Sequence, residues 1–176
     1  RKAIKLNPDF ADSHSNLGVI LKDLGKLQEA EISQRKAIEL NPDFAEAHSN
    51  LGNVLRDLGK LRESQISTRK AIELNPDFAE AHSNLGNVLK DLGKLQEAEI
   101  SQRKAIELKP DFAKAHLNLG AILKDLDKPH EAFESYLKVI KINPKDSNIY
   151  PSITKFLGDS DLSQLNKSKL KYILKL

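Results

Sequence analysis

Apolar residues recur along the chain at helical spacing, in pairs of segments that a short polar break separates. Within residues 45–78 these positions are Ala47, Leu51, Val54, Leu55 and Leu58, followed by Leu61, Ser64, Ala71, Ile72 and Leu74. Steps of three and four residues place side chains on one face of an α-helix. The break between the segments, Asp-Leu-Gly-Lys, puts Gly59 where a helix closes in the left-handed conformation. The pattern therefore predicts a hairpin of two helices.

The hairpin pattern repeats every 34 residues. Five prolines mark the period: Pro8, Pro42, Pro76, Pro110 and Pro144. We assign four repeats, at residues 11–44, 45–78, 79–112 and 113–146. Residues 1–10 are interpreted as the C-terminal end of a preceding repeat, and residues 147–176 as a degenerate repeat with a C-terminal capping helix. The second and third repeats differ at only six positions, which indicates recent duplication or consensus design.

The residues at the helix ends carry their own predictions. Asp43 is placed to cap the first helix of the second repeat, with Glu46 three residues on at capping-box spacing. In the fourth repeat Asp127 replaces the hairpin glycine. Pro129 then falls in the first turn of the following helix, where proline is tolerated.

Each hairpin resembles the tetratricopeptide repeat, whose signature is Trp-x2-Leu-Gly-x2-Tyr, then Ala-x3-Phe, then Pro. The matching positions of the second repeat are His48, Leu51, Gly52, Leu55, Ser64, Thr68 and Pro76. Gln34, Thr68 and Gln102 stand where the family has a large aromatic residue, and Tyr136 restores it. The resemblance implies an all-α fold, a right-handed superhelical solenoid of antiparallel helix hairpins, in which stacked neighbours cover the faces that one hairpin leaves open.

The phrase Asn-Pro-Asp-Phe-Ala-Glu-Ala-His-Ser-Asn-Leu is most similar to repeats in the arm of O-linked N-acetylglucosamine transferases and to related bacterial tetratricopeptide proteins. In those arms an asparagine ladder on the inner helices holds the main chain of a bound polypeptide. The resemblance transfers this role to Asn16, Asn50, Asn84 and Asn118.

The first helices of this fold line a concave groove, so their polar residues are candidate ligand contacts. Besides the four asparagines, the candidates are Ser49, Ser83, Asn53, Asn87, Arg56, Lys90, Asp57 and Asp91. A side-chain amide both donates and accepts hydrogen bonds, so a row of amides can follow an extended main chain. The alternative is that these asparagines are simply solvated.

Charge and composition exclude several classes of function. The 28 basic and 25 acidic residues give a net charge of +3, and an acidic residue directly follows each basic one at the end of the first helices, which argues against nucleic-acid binding. The chain has no cysteine. We find no catalytic arrangement and no phosphate loop, and expect no enzyme activity and no cofactor.

The four histidines in register, His14, His48, His82 and His116, are not read as a metal site. Equivalent residues of stacked repeats lie on the order of 10 Å apart, whereas zinc needs its nitrogen ligands at about 2 Å. We expect these histidines to pack between helices where the family has tryptophan.

No apolar run reaches the length of a membrane span, so we expect no membrane partner. We expect the protein to be cytoplasmic. Because the chain begins at Arg1, we interpret it as a piece of a longer protein.

Three isoleucines, Ile32, Ile66 and Ile100, fall opposite the inward face of the second helices. In the fourth repeat Glu134 takes their place, and Phe133 and Tyr136 lie on the inward side. The isoleucines form either a convex self-association patch or isolated exposed apolar residues. A third alternative is that the second helix is rotated, so that the isoleucines do not face outward.

Three functions are compatible with these observations. The first is a non-catalytic scaffold that binds a protein or peptide segment in the groove. The second is the substrate-recruiting arm of a larger enzyme such as a glycosyltransferase. The third is a self-associating structural solenoid, a homo-oligomer.

Overall fold

The computed structural model describes residues 10–143, and this part of the chain contains eight α-helices and no strand. Within each repeat a first helix of 13 residues is followed by a second helix of 14 residues. The helices are α1 (Ala11–Asp23), α2 (Leu27–Leu40), α3 (Ala45–Asp57), α4 (Leu61–Leu74), α5 (Ala79–Asp91), α6 (Leu95–Leu108), α7 (Ala113–Asp125) and α8 (Pro129–Ile142). The predicted hairpins are therefore confirmed. The segments predicted before Phe10 and after Asn143 lie outside the described residues.

The chain divides after Pro110 into two compact units. In the first unit each second helix packs on the first helix of its own hairpin, and α2 and α4 also pack on the first helix of the next hairpin. Consecutive first helices also touch one another, and they do so more closely than consecutive second helices. The first helices α1, α3 and α5 therefore line the inner side of this unit. In the second unit α7 packs against α8.

A glycine in each first helix allows the two helices of a hairpin to come close together. A Cβ atom on Gly18 would lie 2.5 Å from Nε2 of Gln34, and one on Gly120 would lie 2.6 Å from Cε1 of Tyr136. Gly52 meets the side chain of Thr68 in the same way. The Leu-Gly pair of each repeat thus marks the line along which first and second helices meet.

The second-helix residue at this contact is buried, and in three hairpins it is polar. Gln34 and Gln102 are fully buried. Each donates a hydrogen bond of 2.9 Å from Nε2 to a main-chain carbonyl of the first helix, that of Ser15 or of Ser83. Their Oε1 atoms meet no donor among residues 10–143. These two hairpins therefore contain a buried acceptor that the protein leaves unsatisfied, at a cost in stability.

The other two hairpins solve this contact differently. In the second, Thr68 donates to the Ser64 carbonyl at 2.8 Å, and Ser64 donates to the Gly52 carbonyl at 2.6 Å. In the fourth, the ring of Tyr136 fills the space, and its burial, with a smaller effect of the charge on Asp125, raises the pKa of its hydroxyl to about 12. Phe133 is also buried, so the predicted inward face of α8 is confirmed.

The hairpin turns confirm the predicted left-handed closure. Gly59 has φ = 76°, and Gly25 and Gly93 adopt nearly the same value. Asp127 takes this conformation without a glycine, at φ = 56°. Pro129 is the first residue of α8, as its position predicted.

The predicted capping of α3 by Asp43 is wrong. Phe44 occupies the N-cap position, and no side chain caps the helix. Residues Asn41 to Phe44 form a turn, which is closed by a hydrogen bond of 3.2 Å from the Phe44 N–H to the Asn41 carbonyl. In the same turn the Asp43 N–H donates to Oδ1 of Asn41 at 3.3 Å. This turn takes up the Asn-Pro-Asp sequence, so the helix begins too late for Asp43 to reach its free N–H groups.

Replacing a buried glutamine with an apolar residue of similar volume should change stability only a little. Gln102→Met removes the unsatisfied Oε1, but it also removes the bonds that Nε2 donates to the Ser83 carbonyl and to Asn87. The two effects oppose each other, so the free energy of unfolding should change by less than about 1 kcal/mol. Urea unfolding followed by circular dichroism measures the change. Gln96→Met, at an exposed site of the same helix, is the control and should change stability by less than about 0.5 kcal/mol. A loss larger than about 2 kcal/mol in Gln102→Met would show that Oε1 has a partner in the folded protein.

Restoring glycine in the fourth hairpin should also stabilise the protein. Asp127→Gly relieves a residue with a positive φ, and we expect a gain of about 0.5 to 1 kcal/mol in the same assay. Gly59→Asp is the reverse change in the second hairpin and should be destabilising. The two variants should change the free energy of unfolding in opposite directions. A loss of stability in Asp127→Gly would show that the positive φ of Asp127 carries no strain.

Candidate functional site

The candidate binding surface is the exposed side of α1, α3 and α5 in the first unit. Asn16, Asn50 and Asn84 lie on this side at equivalent positions of the three helices, and we call them the asparagine row. Asn16 is exposed, whereas Asn50 and Asn84 are half-buried.

Hydrogen bonds between neighbouring repeats orient two members of the row. Nδ2 of Asn50 donates to Oγ of Ser15 at 3.3 Å, and Nδ2 of Asn84 donates to Oγ of Ser49 at 3.0 Å. In each pair the serine belongs to the preceding first helix. An amide nitrogen carries two hydrogens, so one N–H and the Oδ1 acceptor of each asparagine stay available after this bond is made.

The serines lie beneath the asparagines and not on the surface. Ser49 and Ser83 are 2% and 1% exposed, and Ser15 is 4% exposed. The sequence hypothesis placed Ser49 and Ser83 among the groove residues; the structure gives Ser49 the role of holding Asn84. Ser15, which the sequence hypothesis did not include among the candidate ligand contacts, holds Asn50 in the same way. The 35-residue separation of each pair, one more than the repeat, is the signal from which this contact can be recognised.

The second pair of candidate amides is less available. Asn53 and Asn87 are half-buried, one turn along from the row. Oδ1 of Asn87 accepts a hydrogen bond of 3.1 Å from Nε2 of the buried Gln102. Asn87 therefore takes part in the interior of its own hairpin as well as facing the surface.

Charged candidates at the C-terminal ends of the first helices pair between repeats. Lys22 lies 3.5 Å from Asp57, and Arg56 pairs with Asp91. In both pairs a base of one repeat meets an acid of the next. Lys90 is half-buried at the equivalent end of α5. The pairing neutralises this edge of the surface, so it presents no strong field of either sign to a ligand.

The second unit carries Asn118 on α7, where it is half-buried. Leu117 precedes it, in place of the serine of the other repeats.

Two of the four histidines bond to the turns between repeats. Nε2 of His48 donates to the Pro42 carbonyl at 2.9 Å, and His82 makes the same bond to Pro76 at 2.8 Å. His116 is 8% exposed. Within residues 10–143, no three His, Asp or Glu side chains come together as a metal site would require. Over the same residues, no helix is long and apolar enough to cross a membrane.

The outer face carries the isoleucines that the sequence placed there. Ile32, Ile66 and Ile100 are 69%, 71% and 69% exposed, so the second helices are not rotated and the predicted exposure is right. Glu134 is exposed at the equivalent position of α8.

Comparison with known families covers nearly the whole chain. Two tetratricopeptide repeat models match the chain, one at residues 1–32 and the other at residues 113–146. A TPR repeat model matches residues 20–59, 52–93 and 86–127. No curated protein matches the chain in sequence.

Solved structures give the same result for the fold. PilF of Pseudomonas aeruginosa is 25% identical, with a TM-score of 0.77 over 84% of this chain and 68% of that one. MamA is 26% identical, with a TM-score of 0.70 over 84% of this chain and 86% of that one. A thermophilic TPR protein of Thermus thermophilus is 22% identical, with a TM-score of 0.81 over 89% of this chain and 86% of that one. The all-helical stack of hairpins is thus the fold of tetratricopeptide solenoids.

An ion pair beside the candidate surface makes stability depend on pH. Lys109 donates a hydrogen bond of 3.0 Å to Glu80 and thereby lowers the pKa of that carboxyl, although partial burial opposes the shift. A lowered pKa contributes stability above the ordinary carboxyl range, and this contribution is lost as the pH falls through the lowered value.

Replacing this carboxylate should therefore flatten the acid limb of stability. Glu80→Gln should lose about 0.5 kcal/mol or less at pH 7, as expected of a solvent-exposed pair, and less at about pH 3. Urea unfolding at both pH values measures this. The control is Glu46→Gln, because uncharged Asn75 stands where the third repeat has Lys109. Equal pH profiles for the two variants would contradict a role for the Lys109 pair.

Proposed function

Because this chain belongs to the tetratricopeptide repeat family, we propose that it is a non-catalytic scaffold that binds an extended polypeptide segment along the asparagine row. The observation that carries the proposal is the bond that Asn50 and Asn84 each donate to a buried serine of the preceding repeat. It holds Asn50 and Asn84 in equivalent orientations before any ligand arrives. A side chain ordered in advance loses less entropy on binding.

The spacing of the row suits an extended main chain. Packed helices lie about 8 to 10 Å apart, and an extended chain rises about 3.3 Å per residue. One asparagine therefore falls beside roughly every third residue of a bound segment. Oδ1 of each asparagine can accept the N–H of that residue, and the free Nδ2 hydrogen can donate to a neighbouring carbonyl.

The charge distribution favours recognition of the main chain over charged side chains. The bases and acids at the ends of the first helices already pair with one another. A ligand charge would have to compete with these partners. The amides offer hydrogen bonds that every peptide group can make, so the scaffold should accept segments of varied sequence.

The test uses a peptide ligand selected from a random library by the wild-type chain. Fluorescence anisotropy with the labelled peptide then compares wild type with Asn50→Ala combined with Asn84→Ala. We expect the double variant to weaken binding about tenfold or more, because each asparagine can make two hydrogen bonds to the main chain of the ligand and both asparagines are removed.

Two further variants sharpen this result. Gln28→Ala with Gln96→Ala removes two exposed amides from the second helices and should leave the affinity unchanged. Ser15→Ala with Ser49→Ala keeps the asparagines but removes the bonds that orient them, so we expect an intermediate loss. Affinity that is equal in wild type and in the asparagine double variant would refute the proposal.

A further inference from the structure

The outer face of the first unit contains a pocket that the proposed function does not use. It lies between the second helices α2 and α4, encloses about 530 Å³, and has the first helix α3 as its floor. Leu51 and Leu55 form that floor, and Ile38 and Ile66 stand on the walls. We call this feature the outer pocket. Its volume is in the range of ligand pockets and can accommodate apolar side chains of a partner.

The pocket exists because consecutive second helices stand apart while the first helices beneath them touch. The side chains that face the gap do not fill it. Ser67 is small, and its hydroxyl is bonded to the His48 carbonyl at 3.0 Å. Ile66 points away from the hairpin contact and is 71% exposed at the edge of the pocket. An apolar cavity and an exposed apolar side chain thus lie side by side on one face.

This adjacency favours a second copy of the chain as the partner. When a projecting side chain and a matching pocket lie on one patch, two identical copies can each insert the side chain into the other's pocket. Such a contact closes on itself after two copies. A pocket distant from the projecting residue would instead give a head-to-tail contact, which either closes into a ring or extends as a filament.

The charges around the pocket fit the same partner. The rim carries two bases, Arg35 and Lys70, and two acids, Glu39 and Glu63. All four charges already pair within the chain; Arg35, for example, lies 3.0 Å from Glu63. The rim is therefore neutral, and the equally neutral rim of a second copy meets no strong repulsion there. The net charge of +3 for 176 residues leaves little repulsion between whole molecules.

We propose that the outer face is a self-association surface, on which the outer pocket of one copy receives Ile66 of a second copy. The residues of this surface recur in the next repeat, because all ten residues that line the pocket have an identical residue 34 positions later. Ile100 is the counterpart of Ile66 and is equally exposed. Both isoleucines therefore contribute to the contact.

The experiment is sedimentation velocity of the whole chain from low to high micromolar concentration. We expect a reversible dimer. Ile66→Glu with Ile100→Glu should weaken it about tenfold or more, because charges would enter apolar pockets. Ile66→Leu with Ile100→Leu should preserve the dimer. Circular dichroism checks that each variant keeps its helices.

A matched control removes two exposed apolar residues elsewhere. Ile20 and Leu24 are 56% and 67% exposed at the end of α1. Ile20→Glu with Leu24→Glu should leave the dimer intact. A wild-type chain that stays monomeric at every concentration would overturn the proposal and leave the pocket to a different protein or a small apolar ligand. A dimer that survives the glutamates at positions 66 and 100, or that the control abolishes equally, would overturn it too.

Discussion

The glycine of each first helix, which has no side chain, sets the arrangement of the inner and outer surfaces. Gly52 lets α3 approach α4 until its backbone meets Thr68. A step of two residues turns an α-helix by roughly 200°, so the residue two places earlier lies nearly opposite the contact. In α3 that residue is Asn50, and in α4 it is Ile66. The close contact of the hairpin therefore turns asparagine towards one surface and isoleucine towards the other.

Stacking of repeats then gives each surface its character. On the inner side the first helices come close enough for the asparagine of one repeat to reach the serine of the repeat before, which orders the amides. On the outer side the second helices stay apart, and the gap between α2 and α4 becomes an apolar pocket. One surface is thus polar and hydrogen-bonding, and the other is apolar with a balanced rim of charges. The two proposed contacts, with an extended polypeptide and with a second copy, are compatible because they use opposite sides.

Much of this arrangement is predictable from the sequence because it depends on local periodicity. The helices, the left-handed turn at Gly59, the place of Pro129 and the exposure of Ile66 all follow from spacing within one repeat. The burial of Ser49 cannot be predicted in this way. It depends on how closely the neighbouring first helix packs, and the pattern of residues within one helix does not contain that distance. The capping role expected of Asp43 failed for a related reason. A turn closed by Asn41 competes for the same residues, and the helix begins only after it.

The proposed interaction of the asparagine row with main-chain N–H groups of a ligand can be measured directly. A selected peptide is resynthesised with a single N-methyl group at each position in turn, which removes one donor and leaves the side chains. We predict losses of affinity of about tenfold that recur at roughly every third residue, since each Oδ1 accepts one N–H. A version with the same residues in scrambled order should bind nearly as well as the original. Tolerance of methylation at every position, together with loss of binding on scrambling, would contradict main-chain recognition.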